Sequence, residues 1–278
     1  MHPLLGHLGS FEIHFYSVFF PIAILMGIIL SARRARLEGF DELRIYQMFI
    51  VVLISVFFGM RLLHIAANFR EYWEHPRRLL NLRAGAVLYG GYLGAIAGGW
   101  LYLRAIRHPA LPVLDITSTY YGLGLAIHRS LACFMAGCCF GKPTDLPWGV
   151  VFPEGSFAYQ AYGAVPVHPT QIYEALLGLI IFIALVAWRR RRQVYGELWA
   201  LQLYIYSIGR FVIEFARGDS DRGFLGPLST SQWISVVMFL IAVGLTMFLA
   251  RRRRLLREGR LDPRGVSRPH DYTPLAAK

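Results

Sequence analysis

Apolar residues in this chain are gathered into long, nearly unbroken stretches rather than interleaved with polar ones. Seven stretches stand out, at approximately 15–32, 46–66, 86–106, 112–135, 170–188, 197–216 and 231–250. Each is close to the roughly 20 residues an α-helix needs to cross a bilayer's hydrocarbon core. In lipid a spanning segment must satisfy its own N–H and C=O groups, which a helix does. The pattern predicts an all-α, polytopic membrane protein with about seven transmembrane helices. MHPLLGHLGSFEIHF, which leads into the first stretch, carries no Lys or Arg, and no A-x-A-like site follows. A cleaved signal needs a basic leading region, so 15–32 reads as a retained helix.

The connections carry their own expectations. Residues 67–84, AANFREYWEHPRRLLNLR, mix aromatics with arginines and predict a short amphipathic segment at the interface. The longest connection, 136–169, is rich in Gly and Pro and predicts an ordered lid, since loops of that length are usually functional or disordered. From about Glu258 the chain turns to EGRLDPRGVSRPHDYTPLAAK. That shift predicts one membrane domain, 1–257, and a disordered cytoplasmic tail, 258–278.

Composition agrees: 17% of residues are charged, against about 25% in soluble domains. The net charge of +12 is a topology signal. Arg33, Arg34 and Arg36, then Arg104 and Arg107, then Arg189 to Arg192, then Arg251 to Arg254 and Arg257 make fourteen at one set of helix ends. The opposite ends carry seven, namely Arg70, Arg77, Arg78, Arg83, Lys142, Arg217 and Arg222. The richer side is cytoplasmic, so the N-terminus and the 136–169 loop face out and the C-terminus faces in. The expected partner of this charge is membrane lipid, with no nucleic acid.

Several ionisable residues fall inside or near the spans: Arg61, His64, His128, Arg129, Arg210, Glu214 and Arg217. A central Arg costs about 2.5–3.5 kcal/mol on insertion scales, so such residues mark pairs or sites. In "YSIGRFVIEFARGDSD" Arg210, Glu214 and Arg217 share one helical face, with Tyr206 one turn further in. Glu214 can pair with both arginines and still leave surplus positive charge. In a membrane the anion at hand is a phospholipid phosphate, which the planar guanidinium grips at two points. "VHPTQIYEA" ends the long loop at His168-Pro169, offers Thr170 as a helix cap, and puts Tyr173 and Glu174 in the first turns. "VLYGGYLGAIAGG" supplies Gly90, Gly91, Gly94, Gly98 and Gly99, small enough for close helix approach or for room beside a headgroup. The cysteines are Cys133, Cys138 and Cys139. A disulfide, a nucleophilic thiol, and a metal set with His128 at H-x4-C-x4-C-C spacing all stay open. So does plain packing in a tight glycine turn.

These runs together resemble the prolipoprotein diacylglyceryl transferase family across nearly the whole chain. "EIHFYSVFF" is similar to the family's first-helix motif, with Tyr16 at its tyrosine, and "FFGMRLLH" to its second-helix arginine segment. "HPTQIYEALL" matches its HPSQxYEA-like run, and "YSIGRFVIEFARGD", "LPWGVVFP" and "STSQWIS" also fit. Where the family has a G-R-x-G-N-F-x-N-x-E-x-x-G run, this chain reads "HRSLACFMAGCCFGK". Gly141 meets the closing glycine, Cys138 the acidic residue, Cys133 the first asparagine and Ala136 the second. Counted back from Gly141, Ser130 takes the arginine slot; counted forward from Asp115, Arg129 does. A one-residue insertion or a bulged turn would reconcile the two counts. The family's third-helix HGG is here Tyr89-Gly90-Gly91.

The resemblance implies transfer of an sn-1,2-diacylglyceryl group from phosphatidylglycerol to a thiol, with glycerol phosphate leaving. The thiol is the lipobox cysteine in a preprolipoprotein signal peptide. It implies a bacterial inner-membrane protein whose site opens toward the outer face. Arg129 and Arg210 would grip the phosphate with help from Arg61, Glu214 would hold the arginine fork, and Tyr16 and Tyr206 would donate hydrogen bonds. Arg217, His168, Glu174, Gly90, Gly91, Gly137, Cys138 and Gly141 would line the headgroup site. Tyr89 stands in the slot of the expected base, with His128, His64 and His168 as substitutes. No metal or organic cofactor is required by that chemistry. The altered run also fits a second reading, a paralogue that binds phospholipid or lipoprotein precursor without transferring it. A transporter would show a repeat or broken helices, and neither is evident.

Overall fold

The structure, a computed structural model, describes residues 4–8, 11–81, 85–218 and 223–259. Strands β1 (Leu4–Leu8) and β2 (Phe11–His14) form an antiparallel hairpin that leads into α1 (Phe15–Leu37). Next come α2 (Glu42–Ala67), α3 (Phe69–Glu74), a 3-10 turn (Pro76–Leu80), α4 (Leu88–Ala105) and α5 (Ala110–Ile127). A π-helical turn (His128–Cys133) and one last turn, α6 (Phe134–Ala136), complete that run. After the long loop and its short α7 (Phe157–Tyr162) come α8 (Thr170–Arg189) and α9 (Glu197–Ala216). Strands β3 (Phe224–Leu225) and β4 (Leu228–Ser229) then enter α10 (Thr230–Arg257).

All seven apolar stretches are helical. Among the described residues four helices can cross a membrane by length and composition: α1, α2, α8 and α10. The other three stretches form α4 and α5, of 18 residues each, with α5 prolonged by the π turn and α6, and α9, of 20. The expected disordered tail lies outside the described residues except for Glu258 and Gly259.

The chain divides into two compact units, one made of residues up to Ser31 and from Leu114 onward, the other of Ala32–Val113. In the second unit α2 and α4 meet along a seam of small residues. A Cβ on Gly90 would lie 2.6 Å from the Leu63 Cβ, and one on Gly98 2.5 Å from the Ser55 Cβ. Only glycine lets the backbones come this close. In this seam Gly90 packs on Gly59 and Leu63, and Gly91 faces Met60. Asp41 caps α2 by accepting from the Leu43 N–H at 2.9 Å. The connection between α2 and α4 contains α3 and the 3-10 turn.

In the first unit α8 and α9 bury Leu177, Ile181, Leu185 and Leu198 between them. At the end of this pair Asp115, fully buried, accepts from the backbone N–H groups of Gly196 and Trp199, both at 2.9 Å. The first turn of α9 has N–H groups without helical partners, and a carboxylate there satisfies both hydrogen bonding and the helix dipole. Ser229 and Gln232 form a reciprocal capping box at the start of α10. The long loop is ordered, as expected: Phe140, Phe152, Ala158 and Val167 make a core of their own. Backbone bridges pair Gly141 with Arg217, and Pro143 and Val150 with Val167.

Candidate active site

The site is built in the first unit where α5 loses its regular pitch. The π turn over His128–Cys133 holds one more residue than an α-turn would. The Ser130 hydroxyl donates back to the Ala126 carbonyl at 2.7 Å, a local bond that competes with regular helix geometry. A turn with one extra residue is of the kind that would reconcile the two counts for Arg129. The helix then stops at Gly137, whose φ of 67° is the left-handed cap glycine adopts without cost. A Cβ there would fall 2.7 Å from the Ser156 Cβ.

Past the cap, the first turn of α8 holds the loop. Gln171 donates to the Cys138 carbonyl at 2.7 Å and Thr170 to the Cys139 carbonyl at 2.6 Å. Thr170 therefore does not cap its own helix; Pro169 occupies the cap position and the hydroxyl reaches across to the loop. Gly141 donates to the His168 carbonyl at 2.9 Å, and Lys142 to Ala216 at 2.8 Å. A Cβ on Gly141 would sit 2.5 Å from the His168 oxygen and 2.7 Å from that of Ala216. Two backbones close on this position, so it takes no side chain.

The loop and the helices α8 and α9 bring three guanidiniums onto one carboxylate. Glu174, only 2% exposed, has Arg129 Nε 2.7 Å from its Oε2. Arg217 donates to its Oε1 at 3.1 Å, and Arg210 Nε lies 4.0 Å away. The Arg129 contact is an ion pair without hydrogen-bond alignment, since neither Nε nor Oε2 makes a directed bond. Arg210 also pairs with Glu214 one turn along α9 and donates to Ser231 Oγ at 3.0 Å. Three positive groups face two carboxylates, which leaves one net positive charge among the five. Buried ions persist only when paired and hydrogen-bonded in this way.

Glu214 pairs with Arg210, as their i, i+4 spacing allows, and Arg129, Arg210 and Arg217 also gather at Glu174. The remaining expected residues fall into two groups. Tyr16, 41% exposed, meets the His128 ring edge-on at 5.7 Å. Tyr206 packs against Tyr121. His168 Nδ1 lies 3.1 Å from the Tyr173 hydroxyl, which accepts from Trp148 Nε1 at 2.8 Å. Arg61, Tyr89, Gly90 and Gly91 belong to the other unit. There Arg61 donates to the carbonyls of Gly85, Arg78 and Asn81 at 3.3, 3.2 and 2.9 Å and lies over the Tyr72 ring. Those contacts make it a clamp on the α2–α4 connection. Tyr89 is half exposed in the first turn of α4.

Sequence reasoning missed Thr170, Gln171 and Ser231 as site supports, although each stands in a quoted run, HPTQIYEA or STSQWIS. It also missed that two of the three sulfurs, those of Cys133 and Cys139, lie at Arg129. Its terminal nitrogen lies 3.2 Å from Cys139 Sγ and 3.7 Å from Cys133 Sγ.

The prolipoprotein diacylglyceryl transferase family profile matches residues 3–248 of this chain. The phosphatidylglycerol–prolipoprotein diacylglyceryl transferase of Clostridium tetani is 35% identical over 254 residues, 91% of this chain and 99% of that protein. The protein of the same name from Geobacter sulfurreducens is 32% identical, covering 90% of this chain and 96% of its own length. That of Thermotoga maritima is 33% identical over 88% of this chain and 83% of its own.

Proposed function

The chain belongs to the prolipoprotein diacylglyceryl transferase family, and on that footing we propose that it moves a diacylglyceryl group from phosphatidylglycerol to the lipobox cysteine of a preprolipoprotein. It is a membrane transferase of lipoprotein biosynthesis. The S–H bond of the lipobox thiol and the carbon–oxygen bond at the glyceryl sn-3 carbon break, a carbon–sulfur bond forms at that carbon, glycerol phosphate leaves, and the thiol proton is released. The carrying observation is the convergence of Arg129, Arg210 and Arg217 on Glu174.

The arrangement suits that reaction. With Glu174 and Glu214 buried against them, the arginines stay oriented before any lipid enters, and their guanidiniums suit the oxygens of a phosphate monoanion. Preset donors aimed at developing charge in a dry site are typically worth about 2.7–4 kcal/mol each. Arg129 and Arg210 bind the phosphate, Glu174 and Glu214 hold them, and Tyr16 and Tyr206 supply hydrogen bonds. Seven spans, an outside N-terminus and an outward-facing site in a bacterial inner membrane are part of the same reading. The unequal arginine count at alternate helix ends supports the orientation. Nothing in the described residues favours a paralogue that binds without transferring.

The test is transfer of labelled phosphatidylglycerol to a lipobox peptide by the full chain in detergent or liposomes. Arg210→Ala is expected to abolish transfer while the protein still inserts and keeps its helix content. Transfer at wild-type rate by that variant would overturn the assignment.

A further inference from the structure

Cys133, Cys138 and Cys139 are free thiols whose sulfurs all lie within 4.8 Å of one another. We infer that this trio binds a zinc ion with an open fourth position, and that the lipobox thiol of the substrate takes that position to be activated. The second half of the inference rests on the transferase reading; the first does not.

The geometry fits the ion. Zn–S bonds of about 2.3 Å place the sulfurs of a tetrahedral site roughly 3.8 Å apart. The observed sulfurs need only a small contraction around a central cation. The backbone carries them rigidly: Cys133 closes the π turn, Cys138 follows the Gly137 cap, and Cys139 is held at a φ of 59°. That left-handed conformation is costly for a residue with a side chain, and it persists under the two α8 side chains that bind the Cys138 and Cys139 carbonyls. Cys133 is buried.

The surroundings suit an anionic thiolate complex. Three thiolates and Zn2+ carry a net charge of −1, and a fourth thiolate makes it −2. The Arg129 guanidinium donates toward Cys139 and Cys133, and His128 Nε2 lies 3.4 Å from Cys133 Sγ. Such outer partners orient thiolate ligands and offset their charge. Among the described residues no fourth protein ligand lies within reach of all three sulfurs. Three protein ligands with a vacant position is the pattern of catalytic zinc, whereas structural zinc is closed by four.

The chemistry follows. The substrate thiol coordinates the ion and releases its proton to solvent, since a metal-bound thiol is deprotonated outright. The bound sulfur attacks the sn-3 carbon of the diacylglyceryl group, the carbon–oxygen bond breaks, and glycerol phosphate departs. The thioether product is a weaker ligand and leaves the ion. No electrons are exchanged. A free thiol of pKa near 8.5 is only about 3% thiolate at pH 7, so activation of this kind gains up to roughly 30-fold. Arg129 would stand between the two ends of the reaction, with Nε toward the arginine–carboxylate cluster and the terminal nitrogen toward the sulfurs.

The test uses the reduced full chain in detergent with Co2+ as the optical probe. One equivalent is expected to bind, with sulfur-to-cobalt charge-transfer absorption that Cys138→Ser weakens and Cys133→Ser/Cys138→Ser abolishes at unchanged helix content. A lipobox peptide should then raise that absorption by roughly a third as the thiolate count goes from three to four, and the same peptide with serine should not. Chelation should slow lipid transfer roughly 30-fold at pH 7, restored by Zn2+. The site is overturned if reduced protein binds no Co2+, if the double variant keeps the bands, or if fresh membranes hold two of the thiols as a disulfide. Transfer indifferent to chelation, or bands indifferent to the thiol peptide, would overturn the activating role and leave the transferase reading intact. Cobalt bands that respond to the peptide in protein that transfers no lipid would overturn the transferase reading instead.

Discussion

Glu174→Gln isolates the charge balance of the arginine cluster, because it keeps the shape of the side chain and removes only the ion. The carboxylate faces Arg129 at 2.7 Å, Arg217 at 3.1 Å and Arg210 at 4.0 Å. With an effective dielectric of about 20, those separations correspond to gross attractions of about 6, 5 and 4 kcal/mol. Burying the ions offsets most of this, and removing one partner of a buried pair costs about 3–5 kcal/mol net. The three guanidiniums would lose the carboxylate they share, and the net positive charge among these five groups would rise from one to two. Denaturant or thermal unfolding in detergent should register that loss, and transfer to a lipobox peptide should fall about 10²–10³-fold as the arginines lose their positions. The decisive arm is Glu174→Gln/Arg217→Gln, which restores one net charge. It should be more stable than Glu174→Gln alone, the signature of coupled groups in a double-mutant cycle. A double variant less stable than the single, or a single variant with normal stability and rate, would refute the charge-balance reasoning.

Two further outcomes follow from positions outside that cluster. Gly141→Ala forces a Cβ against the backbone oxygens of His168 and Ala216, and neither can move without the loop. Unfolding assays should show a loss of about 1–3 kcal/mol, and unchanged stability would contradict the described packing. His108, in the connection between α4 and α5, packs beside Phe40, and burial pushes its pKa down from 6.5. The unfolded chain therefore takes up that proton first on acidification, and stability should fall as the pH drops below about 6.5. His108→Gln should flatten the melting-temperature profile over that window, and an unaltered profile would discount the residue.

Much of the helical layout was legible in the apolar runs, because a helix in lipid leaves a composition signature about twenty residues long. The Arg210–Glu214 pair was legible for a different reason, since i and i+4 on one helix are neighbours whatever the tertiary fold. Glu174 was not. Its partners Arg129 and Arg217 lie 45 and 43 residues away in sequence, and periodicity within a helix does not say which helix packs against which. The partners of Arg61 were hidden for the same reason: the carbonyls it donates to belong to a connection whose backbone path no pattern records. The single-residue mismatch around Arg129 falls where the helix holds its π turn.

That turn is also a rotation device. Each residue advances an α-helix by about 100°, so one extra residue between α5 and α6 lets the two segments present faces chosen independently of each other. Upstream, α5 keeps Asp115 aimed at the start of α9, while downstream Gly137 still meets Ser156. Excising a single residue such as Ser130 would force a choice between those two alignments. The helix would remain a helix and yet be wound wrong at one of its ends.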